Sequence, residues 1–438
     1  MQTLLGFARG DHRRVFAIAL PMMISNIAAP LLGLVDTAII GHLPDSVYLS
    51  SVAIGAMVVS FIYLLAVFLR MATTGAIAQA FGADDAAEQH QLFTHGILTA
   101  ILLGLAIIAL SPFITSVSLW LVAPEPQLLA YASDYIQIRL WSAPAALTTL
   151  ICLGVLLGRQ DSRKAMWLVI ITNFVNVVLD LVLIIGLNMN VRGAAYASLC
   201  AEWTTAIVGF YWCRHTLGWQ LSKARIVAGK LRLFLQANGN IFVRSLTLQL
   251  CMAMMTGYAA RYGTTIVAAN AVLMQFLMLI SLGLDGIAYA VEALAGEAKG
   301  RNRPHQVSYW CRITLLWSSL FAVGYSLVFW LLGQQIIGLI TDLSAVVDTA
   351  MHYLPWVVAL PLLAHWSYWL DGVFIGLSWS KAMRDTMLLA AITGFIPLWW
   401  LSKPLENHGL WLALSGFLIM RAVYQAIWLL RRRRQVVQ

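Results

Sequence analysis

Along its whole length this chain repeats apolar runs of about 20 residues, set apart by short charged turns, and that recurrence limits what it can fold into. Wound as α-helix at ~1.5 Å per residue, such a run crosses the ~30 Å hydrocarbon core of a bilayer. Twelve spans are read, at 14–41, 48–72, 91–117, 128–158, 165–187, 192–214, 235–260, 266–290, 308–333, 348–375, 382–402 and 408–430. Composition agrees: 61% of the 438 residues are hydrophobic, 11% are charged and the mean hydropathy is +0.80. Nothing is left over for a sizeable soluble domain. The expected class is an all-α polytopic membrane protein. The first span follows Arg9, Arg13 and Arg14, as a signal peptide's apolar stretch would. It is too long, and no small-residue cleavage pattern follows it, so it is expected to stay in the mature protein.

A net charge of +9 invites a nucleic-acid reading, and its distribution removes it. Basic residues fall at Arg9, Arg13 and Arg14, at Arg159, Arg163 and Lys164, from Arg214 to Arg232, at Lys299, Arg301 and Arg303, at Lys381 and Arg384, and from Arg431 to Arg434. These are the two ends and alternate loops. The intervening loops hold little beyond Arg192, Arg261 and Lys403. By the positive-inside rule, the chain is expected in a bacterial inner membrane with both termini cytoplasmic, membrane lipids as partners, no nucleic acid, and a monomeric state. The cysteines, Cys152, Cys200, Cys213, Cys251 and Cys311, lie singly in or beside apolar spans and are read as packing residues.

The chain also repeats itself. Gly154-Val155-Leu156-Leu157-Gly158, followed by Ser162 and Lys164-Ala165-Met166, matches Gly372-Val373-Phe374-Ile375-Gly376, followed by Ser380 and Lys381-Ala382-Met383. Ala78 to Gly82 matches Gly296 to Gly300, and Gly193 falls near Gly409. Two halves of six spans enter the membrane in the same sense, so twelve transmembrane helices are expected in two six-helix bundles related by a pseudo-two-fold axis along the membrane normal. The expected division is an N-terminal lobe of 1–214, a basic cytoplasmic linker of 215–234 and a C-terminal lobe of 235–438.

No phosphate-binding G-x-x-x-x-G-K-[ST] loop, H-E-x-x-H, G-x-S-x-G or Cys/His cluster occurs, so neither an ATP-driven pump nor a membrane hydrolase has its chemistry. No catalytic residue, resident cofactor or metal is expected. His95 and His365 stand alone in their spans and are read as packing residues.

Acids inside the membrane are more informative, because an aspartate at the bilayer centre costs ~2.5–3.5 kcal/mol on insertion scales. Asn173, Asn176 and Asp180 fall at i, i+3 and i+7 of the fifth span, one polar stripe among Leu, Val and Ile. Counted from the outer ends near His42, Asn188 and Arg192, Asp36, Asp180 and Ser198 lie at one level, ~9–12 Å below the outer surface. Two carboxyls, carboxamides and a hydroxyl are thus expected to converge. Two acids held close in a low dielectric resist double ionisation, which makes a proton site; the same oxygens of Asp36, Asn176, Asp180 and Ser198 suit Na⁺ equally. The repeat places apolar residues opposite the acids, Met254 for Asp36 and Pro397 for Asp180, so coupling is expected in the first half alone.

Arg139, Asp134, Glu202, Arg244, Asp285 and Asp371 are read as internal pairs or water-lining groups. Pro21 and Pro30 interrupt the backbone ladder of the first span and are expected to let it bend. Met252, Met254, Met255, Met274 and Met278, with Tyr135 and Trp141, are read as a soft surface for varied apolar ligands.

In their order and spacing, Pro21 and Asp36, the Gly154 to Met166 segment with its Gly372 to Met383 copy, Asn176 with Asp180, and Ser198 resemble the multidrug and toxic compound extrusion (MATE) family, and within it the DinF-like branch. The likeness covers nearly the whole chain. It implies a cation-coupled drug antiporter working by alternating access, with Asp36, Asn176 and Asp180 as coupling residues. It also implies a first span that bends at Pro21 when Asp36 takes up a proton. The chain departs from relatives that bind sodium in the C-terminal lobe, because no Glu occurs between Leu235 and Ala260, and it carries Ser198 where some relatives have Thr.

The expected function is export of amphipathic or cationic compounds in exchange for H⁺, or for Na⁺. The coupling set is Asp36, Asn173, Asn176, Asp180 and Ser198, the substrate cavity Asp36, Tyr135, Asn173, Asn176, Asp180 and Met254, and the conformational residue Pro21. The alternative is a lipid-linked oligosaccharide flippase. An anionic pyrophosphate lipid would call for cavity arginines, and membrane-depth cations are few: Arg70, Arg139, Arg244 and Arg421.

Overall fold

The structure, a computed structural model, describes residues 3–4, 7–41, 43, 45–220 and 225–437, without the side chains of residues 3, 4, 29 and 433–437. His42 and residues 221–224 of the expected linker, Lys223 among them, lie outside the described residues, as do the side chains of Arg433 and Arg434. A hairpin of two-residue strands, β1 (Thr3–Leu4) and β2 (Phe7–Ala8), pairs Leu4 with Phe7 and is a small addition to an otherwise helical chain.

Among the described residues the helices join into twelve rods. The first is α1 (Arg9–Gly41). The second is α2 (Ser46–Leu65) with α3 (Phe68–Gly82), the third α4 (Ala86–Ala109) with α5 (Ser111–Val122), and the fourth α6 (Pro126–Leu140) with α7 (Ala143–Gly158). In the fifth, α8 (Ser162–Asp180) runs on as a π-helical segment, Leu181–Gly186, and α9 (Asn190–Leu217) is the sixth. The second half holds α10 (Ala228–Ala259), α11 (Thr264–Gly300), α12 (Pro304–Ile340) and α13 (Ser344–Gly376). It ends with α14 (Ser380–Ala390), a π-turn and α15 (Ile396–Leu401), then α16 (Asn407–Val437). By length and composition, eight helices or joined helices are apolar enough to cross a membrane, and a ninth span is counted when the bent pair α6–α7 is taken together. The remaining rods interrupt their apolar runs with Glu202 in α9, Asn238 and Arg244 in α10, and Arg384 and Asp385 in α14.

Two compact units form. One holds Ile24–Leu235; the other holds Met1–Met23 together with Gln236–Gln438. This grouping differs from the expected lobes at residues 1–23, and specific contacts explain why. Arg14 Nη2 donates to Glu297 Oε2 at 2.5 Å, Tyr309 donates to Asp11 at 2.6 Å and the Trp317 indole donates to His12 Nδ1 at 2.9 Å. In the same way the start of α10 stays with the first unit, where Lys230 pairs with Glu88 and Val227 N–H donates to His95 Nε2 at 3.3 Å.

The repeat read in the sequence is a packing device. Both copies are G-x-x-x-G segments, in which bare glycines let helix backbones approach. A Cβ on Gly154 would lie 2.8 Å from the Arg70 carbonyl oxygen, and one on Gly158 2.8 Å from that of Thr74, so α7 sits directly on α3. In the second unit a Cβ on Gly372 would lie 2.6 Å from Ala288 O and one on Gly376 2.5 Å from Glu292 O, which seats α13 on α11. Turns repeat as well. Asp84 and Asn302, and Gln160 and Ser378, are left-handed residues 218 positions apart that close their helices with the same pair of backbone bonds. In the first copy of that closure, Asp85 N–H reaches Ala80 O at 3.0 Å and Asp84 N–H reaches Phe81 O at 3.2 Å.

Proline acts differently at two places. Pro144 lacks the N–H that would continue the ladder from α6, and the fourth rod bends by 49° there. Through Pro21 and Pro30, α1 continues as one helix from Arg9 to Gly41.

Candidate cation-coupling site

The site forms in the first unit, where the last turns of α1 meet the end of α8 and the middle of α9. The i, i+3, i+7 stripe of α8 turns Asn176 and Asp180 inward, at 2% and 1% exposure, while Phe174 and Val178 face outward. The Asn176 carboxamide is oriented by its neighbours, since its oxygen cannot face two carboxylates. Its nitrogen donates to Asp36 Oδ1 and to Asp180 Oδ2, both at 3.0 Å, and its oxygen accepts from the Ser198 N–H at 3.2 Å and the Ser198 hydroxyl at 2.9 Å. One side chain thereby joins three rods. Both carboxyls thus sit against the same carboxamide nitrogen. Asp180 Oδ1 is buried with no donor facing it.

Asn173, one turn earlier on the stripe, donates instead to the Ala28 carbonyl at 2.7 Å and ties α8 to α1 below the acids. Tyr135 is buried against the bare backbone of Gly55, where a Cβ would meet its ring at 2.3 Å. With Ile40, Val52, Ile184, Val191, Ala194 and Ala195 it forms an apolar cluster that adds the second and fourth rods to the three of the site. Met254 belongs to the other unit, at the edge of that unit's core, and Pro21 belongs there too. The methionine, Tyr135 and Trp141 surface read from the sequence is therefore divided between the units.

Several of the other charges read from the sequence form pairs. Arg139 holds Glu202 at 2.8 Å and Arg192 holds Asp134 at 2.8 Å. Arg244 and Arg421 both grip Asp371 Oδ2, whose second oxygen accepts from Gln425 at 2.9 Å. Arg139 is the cation whose field reaches both Asp36 and Asp180. Nothing in the sequence marked that position. The π-helical segment that begins just after Asp180 had no signal either; a wide turn of this kind is frequent beside functional residues.

A cavity of about 940 Å³ opens in the same unit at the bend of the fourth rod, lined by Ile101, Leu105, Trp141, Tyr196, Trp203 and Phe210 among others. Its lining includes none of the cavity residues read from the sequence. An aromatic and apolar wall with a few polar groups, Gln137 and Thr148 here, is the kind that holds amphipathic molecules.

Comparison with known proteins fits this arrangement. The MatE family model matches residues 21–182 and 241–400. The chain is 41% identical over 435 residues to DNA damage-inducible protein F of Escherichia coli (strain K12), covering 97% of this chain and 93% of that one. It is 24% identical over 443 residues to the probable multidrug resistance protein NorM of Thermotoga maritima, covering 96% and 92%. A solved outward-facing multidrug resistance MATE family transporter of the MOP superfamily superposes with a TM-score of 0.87 at 22% identity, over 97% of this chain and 96% of that one. That likeness carries the fold, twelve membrane helices in two bundles.

Proposed function

Because the chain belongs to the MatE family of membrane transporters, we propose that it is an antiporter that exports amphipathic or cationic compounds, driven by protons taken up at Asp36 and Asp180. The observation that carries this reading is the Asn176 bridge. It presents a nitrogen donor to both carboxylates and turns its oxygen away to Ser198. A proton needs only the two carboxyls that this bridge holds together, while Na⁺ would also need the Asn176 oxygen turned toward them.

At an effective dielectric near 20, two carboxylates ~4 Å apart repel by roughly 4 kcal/mol. A proton between them removes the repulsion and adds a hydrogen bond across α1 and α8. Its loss restores the repulsion across the same helix pair, and Asn176 alone then holds the acids. In the proposed cycle, a proton from outside closes the pair, substrate leaves, and the inward-facing state gives the proton up to the cytoplasm. Pro21 lets α1 follow this change, because its missing N–H leaves the helix one bond short. One proton crossing ~100 mV gains roughly 2.3 kcal/mol, and one pH unit adds roughly 1.4. Together these sustain a gradient of a few hundredfold in a neutral substrate.

The substrate class is read from relatives named as multidrug resistance or export proteins. The basic ends and alternate loops support an inner-membrane position with both termini in the cytoplasm. Proteoliposomes with a pH gradient or a Na⁺ gradient imposed separately test the proposal. Drug movement is expected with the pH gradient alone and is expected to vanish in Asp36→Asn. Movement driven only by Na⁺ would overturn the proton reading.

A further inference from the structure

We infer that the pocket where α1 begins is a binding site for the phosphate headgroup of an anionic phospholipid. The pocket encloses about 720 Å³ and is lined by Arg9, Gly10, His12, Arg13, Phe16 and Trp317, all in the unit that contains residues 236–438.

Its charge stays net positive, with Asp11 the single carboxylate on the same turns of α1. Arg9 and Arg13 are exposed, one turn apart on the same face of α1, and have no acidic partner among the described residues. The acids nearby are occupied: Glu297 is held by Arg14 at 2.5 Å and Arg301 at 2.6 Å, and Asp11 accepts from Tyr309 at 2.6 Å. Two guanidiniums at this spacing offer paired donors to the oxygens of one phosphodiester.

Beside the charge lies an apolar floor. Trp317 donates to His12 Nδ1 at 2.9 Å, and Phe16 meets the Trp317 ring edge-on at 4.6 Å. A free phosphate would leave that floor in water; the glycerol and first methylenes of a lipid would cover it.

The level is right as well. The 33 residues of α1 span roughly 50 Å, against a hydrocarbon core of ~30 Å, and with Asp36 kept inside the hydrocarbon most of the excess falls at the Arg9 end, in a headgroup layer. Residues 9–16 make up that projection, with Arg9 outermost and Phe16 at the hydrocarbon edge. Under the orientation proposed above, this is the inner leaflet; the binding itself does not depend on which ion drives transport. A lipid held here would load the first turns of the helix that carries Asp36.

Native mass spectrometry of the purified full chain in detergent tests the site, by titration with phosphatidylglycerol and phosphatidylcholine. Wild type is expected to bind one phosphatidylglycerol more tightly than phosphatidylcholine, and Arg9→Gln/Arg13→Gln to weaken it roughly 30-fold. Arg431→Gln/Arg432→Gln, which removes the same charge elsewhere, is expected to leave that affinity within about twofold, since its charges lie outside the pocket. Equal loss in both double variants, or none in the first, overturns the proposal. Inorganic phosphate and glycerol 3-phosphate form a second arm: binding as tight as the lipid's would overturn the choice of lipid. If the arginine variant does not purify as a folded protein, Trp317→Leu keeps the charge and removes the floor. It is expected to weaken lipid binding several-fold, and unchanged binding overturns the site.

Discussion

Replacing Gly372 with alanine tests the seam between α11 and α13 with the smallest possible change. An added Cβ would sit 2.6 Å from Ala288 O and 2.6 Å from Val291 Cγ1, while ordinary contact begins at 3.4 Å, so the helices must part by about 0.8 Å (3.4 − 2.6). The Val291 methyl can rotate away; the Ala288 carbonyl is backbone and cannot. A gap of that size forfeits roughly a quarter to a half of each dispersion contact across the seam, and overpacking of this kind costs ~1–3 kcal/mol. Against it stands the ~1 kcal/mol by which alanine exceeds glycine in a helix. The net expectation is a loss of up to roughly 2 kcal/mol. Gly324→Ala is the control, because nothing lies within 4 Å of its Cβ position, and it should gain up to ~1 kcal/mol. Two chemically identical substitutions are thus expected to move stability in opposite directions. With 17 tryptophans in the chain, unfolding in one detergent is easily followed by fluorescence. A Gly372→Ala protein stabilised as much as Gly324→Ala would refute the close-approach argument. Gly154→Ala, with Arg70 O at 2.8 Å, should behave alike if the duplicated segments do the same work.

Asp36→Asn and Asp180→Asn should each abolish gradient-driven drug export while the protein still inserts and elutes as wild type; export at the wild-type rate in both would remove the dyad from the mechanism. Ser198→Ala removes a hydroxyl donor to the Asn176 oxygen, worth ~0.5–1.5 kcal/mol, so transport should fall roughly 2- to 12-fold and remain proton-driven. Asp371→Asn leaves the buried Arg244 and Arg421 without their carboxylate and should destabilise the protein by ~3–5 kcal/mol, read as a collapse in melting temperature or in folded yield.

Much of the acidic site was legible because helical arithmetic is rigid. Spacings of three and seven put Asn176 and Asp180 on one face of α8. Counting residues from the outer ends put Asp36 and Ser198 at their level, and the structure brings the four together. That buried charges would be paired was also legible, since an unpaired one is too costly, but the partners were not. Arg139 finds Glu202 63 positions away and Asp371 finds Arg421 50 away, and nothing local encodes which rods are neighbours. The repeat showed two glycine segments without showing that α3 and α11 fill them. The π-helical segment after Asp180 leaves no mark in residue type, because it is one extra residue per turn and not a particular residue. Met254 was matched to Asp36 by counting along the repeat, which gives equivalence between halves and not proximity.

The placement of residues 1–23 has a consequence for how the two copies depend on each other. The unit of residues 236–438 takes in the beginning of α1, and the unit of residues 24–235 keeps the beginning of α10, its counterpart in the duplicate. This is a reciprocal swap, of the kind usually seen when two identical chains exchange an arm, performed here within a single chain. A gene cut at the linker would therefore yield two fragments that each lack a helix end completing their own core. The halves are therefore expected to assemble best when both are made together.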